Sequence, residues 1–422
     1  MHVTAIVIAL GSAGDVHPNV GLALALRGRG HRVLFLAGSV FRPMAERAGL
    51  EFIGLGTDEE YYEAVRDPDL WNPYRAFFVV ARRLILRWLR PLYEIIATHA
   101  EPGRTVLVAP ATAFAARIAQ EKLGVPLATV HLQPAMLRST IDPACYGFPD
   151  IIRHLPRPLR ELYLRGVDRF LIDPVLAPET NAFRAELGLL PALRLWDRWF
   201  HSSQLILGFF PDWFAPPQPD WPPNVHLTGF PLWDESDHRS TPPELEEFLR
   251  AGDPPVVFTA GSAMAQGKDF FRVSAEVCRS SGRRGFFLTQ FPEQLPQPLP
   301  ENVRHFSYVP FSAVLPRAAA FVHHGGIGTT AQALAAGVPQ LVVPLAHDQP
   351  DNAVRVRRLG VGDFLLPKAY QRATVLERLG RLLGSSEVSE ACRRRAGDMA
   401  SGPGLDRACS LIEELYLSSP LQ

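Results

Sequence analysis

Residues 318–330 read Ala-Ala-Ala-Phe-Val-His-His-Gly-Gly-Ile-Gly-Thr-Thr. A short apolar run leads here into a glycine-rich turn, residues 329–336 look like the opening of a helix, and a second apolar run follows at 340–344. A strand, a glycine-rich turn and a helix N-terminus together form an anion site, because free backbone N–H groups point at the ligand. The alternative is an ordinary tight connection between a strand and a helix.

The side chains around this turn favour a ligand that carries a diphosphate. Glycines let the backbone approach closely, hydroxyls offer hydrogen bonds and a histidine ring offers a donor; these residues are His324, Gly325, Gly326, Gly328, Thr329 and Thr330. One helix and one strand later, the acid–amide pair Asp348-Gln349 is suited to gripping vicinal hydroxyls. A diphosphate and a polyol in one ligand predict a nucleotide sugar.

The same rhythm of short apolar strands and helices extends over the rest of the chain. Apolar runs occur at 3–10, 32–37, 106–109 and 127–130, and again at 256–259, 285–289, 319–322 and 340–343. The first helix is predicted over 20–29. Continuous apolar strands that alternate with helices indicate parallel sheets covered on both faces. The predicted fold class is therefore α/β.

The length of 422 residues is too great for a single core. Eight prolines between 214 and 243 interrupt the rhythm, which is typical of a linker. We predict two doubly wound domains that face each other across a cleft, over 1–220 and 241–395. Residues 221–240 are the predicted linker, and 396–422 contain a C-terminal helix.

Composition excludes several classes of protein. Apolar residues make up 47% and charged residues 20%, and Lys+Arg and Asp+Glu both count 43, so no net field attracts nucleic acid. The four cysteines lie far apart without CxxC spacing, so neither a metal site nor a disulfide framework is expected and a cytoplasmic location fits. Residues 1–10 are apolar but too short to span a membrane.

The donor-like segment 323–352 resembles the motif of the inverting nucleotide-sugar glycosyltransferases, which include plant natural-product glucosyltransferases and antibiotic glycosyltransferases. The resemblance implies the GT-B fold, transfer without a metal or other cofactor, and a last helix, here 405–417, that crosses back onto the first domain. A nicotinamide enzyme is disfavoured, because Gly11-Ser12-Ala13-Gly14 is not GxGxxG and the second strand ends without an acid.

Direct displacement at a sugar needs a base that deprotonates the acceptor hydroxyl. Asp15 follows the first strand, in a Gly-Asp-x-x-Pro turn that resembles the turn carrying the base in antibiotic and bacterial lipid glycosyltransferases. A helix N-terminus would lower the pKa of Asp15 and keep it ionised. His17 is a second catalytic candidate. The alternatives are that Asp15 caps the helix and that His17 is a surface or capping residue.

The resemblance also implies a donor-binding set. Tyr308 would stack on the base, Val309 would offer backbone groups to its edge, and Ser262 would contact the donor on its phosphate side. Gln332 stands where uridine-using relatives carry the Glu that holds both ribose hydroxyls. Its loss suits a deoxyribose, so we expect a dTDP-sugar rather than a UDP-sugar.

Segment 71–96 carries more apolar surface than one helical face requires, with arginines interspersed. Phe77, Phe78 and Trp88 are the candidates for a pocket that binds a hydrophobic acceptor. A thick core helix with solvated arginines is an equal alternative, and peripheral contact with a membrane is a third.

Four stretches, at 11–16, 67–73, 213–222 and 228–232, resemble the rhamnosyltransferases of rhamnolipid biosynthesis. This resemblance implies transfer of L-rhamnose from dTDP-L-rhamnose to the hydroxyl of a 3-(3-hydroxyalkanoyloxy)alkanoate. The alternatives are a UDP-glucose-dependent transferase acting on a sterol, polyketide or flavonoid, and a non-catalytic homologue that activates a partner enzyme.

Overall fold

A computed structural model describes residues 3–238, 242–402 and 404–418. It contains two parallel β-sheets. The first has seven strands: β1 (Thr4–Ile8), β2 (Arg32–Gly38), β3 (Glu51–Leu55), β4 (Thr105–Pro110), β5 (Leu127–His131), β6 (Leu205–Gly208) and β7 (Val225–Leu227). The second has six: β8 (Val256–Thr259), β9 (Gly285–Leu288), β10 (Val303–Phe306), β11 (Ala320–His323), β12 (Gln340–Val342) and β13 (Gly362–Phe364).

Helices cover both sheets. Those that accompany the first sheet are α1 (Ala13–Gly28), α2 (Arg42–Arg47), α3 (Asp58–Arg66), α4 (Ala76–Val80), α5 (Leu89–His99), α6 (Phe114–Leu123), α7 (Ile151–His154), α8 (Arg157–Val167) and α9 (Asp173–Glu186). Those that follow are α10 (Pro243–Arg250), α11 (Lys268–Ser281), α12 (Phe311–Val314), α13 (Ile327–Ala336), α14 (Gln349–Arg358), α15 (Arg372–Gly384), α16 (Ser386–Ala400) and α17 (Gly404–Ser418). Three π-helical turns lie at Ala81–Leu86, Asp168–Ile172 and Leu195–Trp199.

The strand orders place a crevice in each sheet. They are β3-β2-β1-β4-β5-β6-β7 and β10-β9-β8-β11-β12-β13. In each, the chain builds outward on one side and then crosses to the other, so the order reverses between β1 and β4 and between β8 and β11. Ligands of open parallel sheets bind outside the carboxyl ends of the strands at such a reversal. The predicted fold class is confirmed, and the fold aims the loops after β1, β8 and β11 at two facing crevices.

The first helix begins seven residues earlier than predicted. Its N-terminal residue is Ala13 rather than Val20, and Ser12 is the capping residue in extended conformation. The carboxylate of Asp15 accepts hydrogen bonds from the backbone N–H of Ser12 (2.8 Å) and from its hydroxyl (3.2 Å). This cap offsets the weak helix propensity of Gly14. The segment read as a turn is therefore the first turn of α1.

Part of the predicted linker belongs to the first sheet. β7 lies inside 221–240 and pairs in parallel with β6, while residues 239–241 lie outside the described residues. At the other end, α17 packs against the first domain: Arg29 and His31 bind Glu413, and the Tyr416 hydroxyl donates to the Gly103 carbonyl at 2.7 Å.

The core is apolar and continuous between the two sheets. One buried cluster joins Val16 and Val20 of α1 to Ile327 and Ala331 of α13. All four cysteines are buried free thiols. Among the described residues, no helix combines the length and the apolar character that a membrane crossing requires.

Candidate active site

The two adjacent histidines after β11 have different surroundings. His323 is fully buried; its Nε2 lies 3.0 Å from Oε1 of Gln340, and its Nδ1 accepts from the Gly325 N–H at 3.1 Å. Because Nδ1 accepts, the proton is on Nε2, and burial lowers the pKa of His323 to about 3. His323 is therefore a neutral residue that fixes the shape of the turn.

His324 faces the other way, towards the loop after β8. A Cβ atom on Gly261 would lie 2.9 Å from its ring, so the turn Gly261-Ser262 can approach only because residue 261 is glycine. Burial lowers the pKa of His324 to about 4. Its Nδ1 is buried and has no hydrogen-bond partner within the described parts of the chain. A neutral ring with a buried, unpartnered nitrogen thus lies between β11 and the turn at Gly261 after β8.

The glycine-rich turn has its predicted shape. Gly325 has φ +92°, and a Cβ atom there would lie 2.5 Å from Cγ1 of Val342. The helix α13 then starts at Ile327, with Gly326 as its capping residue and no side chain covering the first N–H groups. An open helix N-terminus of this kind suits an anion.

The side chains of the two threonines differ in burial. Thr329 is half-buried at the cleft side of α13, whereas Thr330 is fully buried and its hydroxyl has no partner among the residues described. Successive helical residues point about 100° apart, so only one of the pair can face the crevice. The prediction that Thr330 contacts the donor is wrong; Thr330 lies in the interior.

The side chains of Asp348 and Gln349 also have different surroundings. The Gln349 side chain is buried, and its Oε1 accepts from the backbone N–H groups of Leu345 (2.8 Å) and Ala346 (3.2 Å). Its carbonyl oxygen is therefore used to hold the loop before α14, and contact of its amide nitrogen with vicinal hydroxyls stays a prediction. The sequence pattern could not reveal this, because the loop folds back onto the side chain.

Asp348 faces the cleft at the N-terminus of α14. Its Oδ2 accepts from Nδ2 of Asn352 at 2.7 Å, and the same Asn352 nitrogen donates to the Gly325 carbonyl at 2.9 Å. Asn352 thus links the carboxylate to the glycine-rich turn. Burial raises the pKa of Asp348 to about 7, with a smaller contribution from the charge of Asp15.

Asp15 lies across the cleft from this turn. Burial raises the pKa of its carboxyl group, against the lowering effect of the Ser12 hydrogen bonds. The expectation that the helix N-terminus lowers this pKa is wrong, because the effect of burial is the larger one. Asp15 also takes part in capping: its carboxylate accepts from Ser12, the capping residue of α1, as the third helical residue of a capping box does.

His17 does not join Asp15. Its ring packs edge-on against Trp233 at 5.4 Å between centroids, and burial lowers its pKa while the charges of Glu235 and Asp234 raise it. Side chains two positions apart on a helix point about 200° apart, so His17 points away from Asp15 and towards the chain that joins the domains. The prediction of a catalytic role for His17 is not supported by this position.

The facing helices bring the two halves of the site together. A Cβ atom on Gly328 would lie 3.5 Å from the carbonyl oxygen of Gly14. Pro18 has no N–H that could donate to the Gly14 carbonyl, so that carbonyl oxygen is left without its helical partner and faces α13. The N-terminus of α1, with Asp15, therefore meets the N-terminus of α13 across the cleft.

Further contacts close the cleft around this meeting point. Trp71 packs edge-on against His347 at 5.5 Å, the Cys145 N–H donates to Oδ1 of Asp351 at 3.0 Å, and Nε2 of Gln266 donates to the Arg66 carbonyl at 3.1 Å. His347 has φ +61°, a strained conformation for this residue type. Trp71 and His347 were not identified from sequence; the only signal was their place beside recognised motifs.

The predicted base-binding residues contact the chain that joins the domains. The Tyr308 hydroxyl donates to the Asp234 carbonyl at 2.9 Å, and Nε2 of Gln332 donates to the Leu232 carbonyl at 2.9 Å. Val309 is buried in the second core. Tyr308 and Gln332 therefore bind carbonyls only two residues apart in the joining chain. The amide oxygen of Gln332 can still accept a hydrogen bond from another donor.

The predicted acceptor residues are partly buried in the first domain. Phe77 and Phe78 contact each other at 5.5 Å between centroids, and Trp88 covers Gly56 at the end of β3. Segment 71–96 buries one face, as the core-helix alternative expected: Ala81, Ile85, Leu89, Leu92 and Ile96.

Most arginines of this segment are paired with acids, whereas Arg82 is exposed and has no ion pair among the described residues. Arg83 binds Glu63, Arg87 binds Glu60 and Arg90 binds Glu186.

Tyr61 is the aromatic residue close to the carboxylate, and sequence reasoning missed it. Burial first, and then the charge of Asp15, raises its pKa. Its ring packs edge-on against Phe41 at 5.6 Å. Tyr61 and Phe41 thus form an apolar wall near Asp15 that has no motif to mark it in the sequence.

Comparisons with known proteins agree with this architecture. The glycosyltransferase family 28 N-terminal domain matches residues 5–141, and the C-terminal domain named erythromycin biosynthesis protein CIII-like matches residues 289–415. O-mycaminosyltylonolide 6-deoxyallosyltransferase of Streptomyces fradiae is 32% identical over 425 residues, covering 96% of each chain. This chain belongs to the nucleotide-sugar glycosyltransferases of the antibiotic and natural-product type.

Solved structures show the same fold. The calicheamicin glycosyltransferase CalG4 has a TM-score of 0.70 at 22% identity and covers 98% of both chains. The spinosyn rhamnosyltransferase SpnG complexed with thymidine diphosphate has a TM-score of 0.68 at 20% identity, covering 98% of this chain and 99% of that one. The resemblance to rhamnolipid rhamnosyltransferases stays a prediction.

Proposed function

We propose that this enzyme transfers L-rhamnose from dTDP-L-rhamnose to the hydroxyl of a lipidic acceptor such as a 3-(3-hydroxyalkanoyloxy)alkanoate, with inversion at the sugar. The observation that carries the proposal is the meeting of Asp15 with the N-terminus of α13, where Gly14 and Gly328 are in contact distance. A base and an anion site at one point of a cleft are what direct displacement requires.

In the proposed reaction the diphosphate lies on the free N–H groups of α13, with the ring of His324 and the hydroxyl of Thr329 beside it. The Asp15 carboxylate takes the proton of the acceptor hydroxyl as the acceptor oxygen attacks the anomeric carbon. The bond from that carbon to the diphosphate oxygen breaks on the opposite face, and the dTDP leaves with both bonding electrons. The raised pKa of Asp15 favours this role, because a stronger base accepts the proton more readily.

The helix N-terminus and the neutral histidine supply the stabilisation of the leaving group in this scheme, so no metal ion is required. In the proposal Asp348 holds sugar hydroxyls; the link of its carboxylate through Asn352 to the glycine-rich turn supports this role. We expect the transfer rate to be unchanged after treatment with a chelator. A loss that added divalent ions restore would contradict this part of the proposal.

The preference for a thymidine donor rests on Gln332. Its amide nitrogen donates to the Leu232 carbonyl, which leaves one neutral oxygen where a carboxylate would offer two acceptors to a ribose. A second candidate function is transfer to a polyketide, from either a dTDP- or a UDP-sugar. The name of the Streptomyces fradiae relative favours it, since that enzyme acts on a tylonolide.

A matrix of donors and acceptors tests the proposal. The donors are dTDP-L-rhamnose and UDP-glucose; the acceptors are 3-hydroxyacyl esters of increasing acyl length, a macrolactone and a flat flavonoid. We expect transfer from dTDP-L-rhamnose that rises with acyl length until the pocket is filled, because each buried CH₂ contributes about 0.8 kcal/mol. A preference for the macrolactone would select the second candidate. Donor binding without transfer to any acceptor would favour a non-catalytic role.

A further inference from the structure

Two helices of the first domain leave their apolar side chains in solvent. Neither α7 nor α8 has a buried residue. Several large apolar side chains of the segment 151–171 are exposed, among them Leu162 at 67% and Phe170 at 82%. The exposed stripe consists of Leu159, Leu162, Tyr163 and Phe170, which are spaced by three, four or seven residues and so share one helical face.

One charged side chain of this segment points inward. Asp168 is only 3% exposed and points inward, where its two carboxylate oxygens bind the Arg138 guanidinium at 2.6 and 2.7 Å. A buried ion pair thus lies next to Val167 and Ile172, which pack on the core, and it shares in seating this segment. The inward charge holds the apolar stripe outward.

Positive charge flanks the stripe. Residues 151–171 contain five arginines and two acids, although the whole chain balances 43 basic against 43 acidic residues. One of the two acids, Asp168, is neutralised by Arg138, and the other, Glu161, pairs with Arg165. Arg157 and Arg169 are exposed beside the stripe. The segment therefore combines an apolar face with a basic rim.

We propose that this stripe docks the enzyme on the surface of an anionic lipid bilayer. An apolar helical face with an arginine rim, lying flat, buries its side chains among the acyl chains and keeps its cations at the acidic headgroups. A second copy of the chain fits less well, because a two-fold interface would place one arginine rim against the other. The proposal goes beyond the transfer reaction and holds whatever the acceptor is.

The docking surface is joined to the cleft. Arg160 donates to the carbonyls of Thr140 and Ile141, and Arg153 binds Asp142, which also binds Arg358 of the second domain. The loop that contains these residues leaves β5 at its carboxyl end, which is the edge that carries the site. A docked enzyme would therefore hold its cleft near the bilayer.

Sedimentation of the full chain with lipid vesicles tests the proposal. Vesicles of phosphatidylcholine alone are compared with vesicles that also contain phosphatidylglycerol, at low and high salt. We expect binding that needs phosphatidylglycerol and weakens with salt. The double variant Leu162→Ser, Phe170→Ser should bind at least about tenfold less, since each CH₂ removed from the bilayer changes partitioning about fourfold.

The matched control is Leu417→Ser, since Leu417 is 67% exposed on α17, away from the stripe. It should bind vesicles as the unmodified enzyme does. All the substituted side chains are exposed, so circular dichroism and transfer to a soluble acceptor should be unchanged. Equal vesicle binding by the double variant and the control would overturn the proposal. So would light scattering that shows an oligomer for the unmodified enzyme and a monomer for the double variant, which would make the stripe a self-interface.

Discussion

His323 and His324 are chemically identical neighbours whose rings serve different ends. His323 exchanges hydrogen bonds with Gln340 and Gly325, while His324 presents a free nitrogen to the crevice. The sequence predicted a ring donor at His324; the structure places that ring against Gly261, and its contact with an anion stays a prediction. It could not predict that Thr330 and Gln349 face inward, because that depends on the helical phase of α13 and on the loop before α14.

Replacing His324 with Ala should weaken binding of dTDP about 10- to 100-fold, because a hydrogen bond to a charged group is worth about 1.5–3 kcal/mol. Titration calorimetry measures the effect. Thr330→Val is the matched control: its hydroxyl has no partner within the described residues, and valine has nearly the same shape. We expect its nucleotide affinity to be unchanged. If both variants bind dTDP normally, His324 is part of the core rather than of the site.

The raised pKa of Asp348 leads to a prediction of how the stability of the protein depends on pH. Burial raises its pKa to about 7 from 3.8, so the folded chain keeps a proton that the unfolded chain loses above about pH 4. The free energy of unfolding then falls as pH rises through this window. In Asp348→Asn, which can still accept from Asn352, this fall should be smaller.

Thermal unfolding of the two proteins from about pH 4 to about pH 8 checks this expectation. Asp269→Asn is the control, since the Asp269 side chain is 93% exposed. Curves for Asp348→Asn that run parallel to those of the unmodified protein would show that Asp348 titrates normally.

At the scale of elements, the strands and the glycine-rich turn follow from the pattern of apolar runs, whereas the start of α1 does not. Gly11, Gly14 and Pro18 all suggest a turn, yet the Ser12–Asp15 hydrogen bonds and the backbone hydrogen bond from Val16 to Ser12 make the segment helical. The outward stripe on α8 is equally hidden, because its cause is an ion pair between residues 30 positions apart.

The geometry of the turn between β11 and α13 predicts how adding one methyl group at Gly325 changes the stability of the protein. Gly325→Ala should destabilise the protein by about 1–3 kcal/mol, because φ +92° strains any other residue and the new Cβ would meet Val342. It should also reduce dTDP binding. Gly380→Ala is the control in an exposed helical position with no atom within 4 Å, and it should stabilise by about 0.5–1 kcal/mol. Denaturant unfolding distinguishes the two; equal stabilities would contradict the strained geometry.

At the scale of the whole molecule, two parallel sheets meet through the loops at their carboxyl edges. Sequence periodicity sufficed for two α/β domains, and the motifs indicated which edge of each would be used. The relative placement of the domains depends on contacts between distant residues, such as Cys145 with Asp351 and Trp71 with His347. That placement brings Asp348 close enough to Asp15 for its charge to be felt, whereas Tyr61 lies beside Asp15 within the first domain itself.

The most direct test is the Asp15→Asn variant, assayed for both dTDP affinity and sugar transfer. Asparagine can still accept the Ser12 N–H through its side-chain oxygen, so α1 should keep its cap. We predict dTDP affinity close to that of the unmodified enzyme and a transfer rate lower by about 10²–10⁴, with the exposed Asp269→Asn variant unaffected. Near-normal turnover in Asp15→Asn would contradict the assignment of Asp15 as the base on which the proposed mechanism depends.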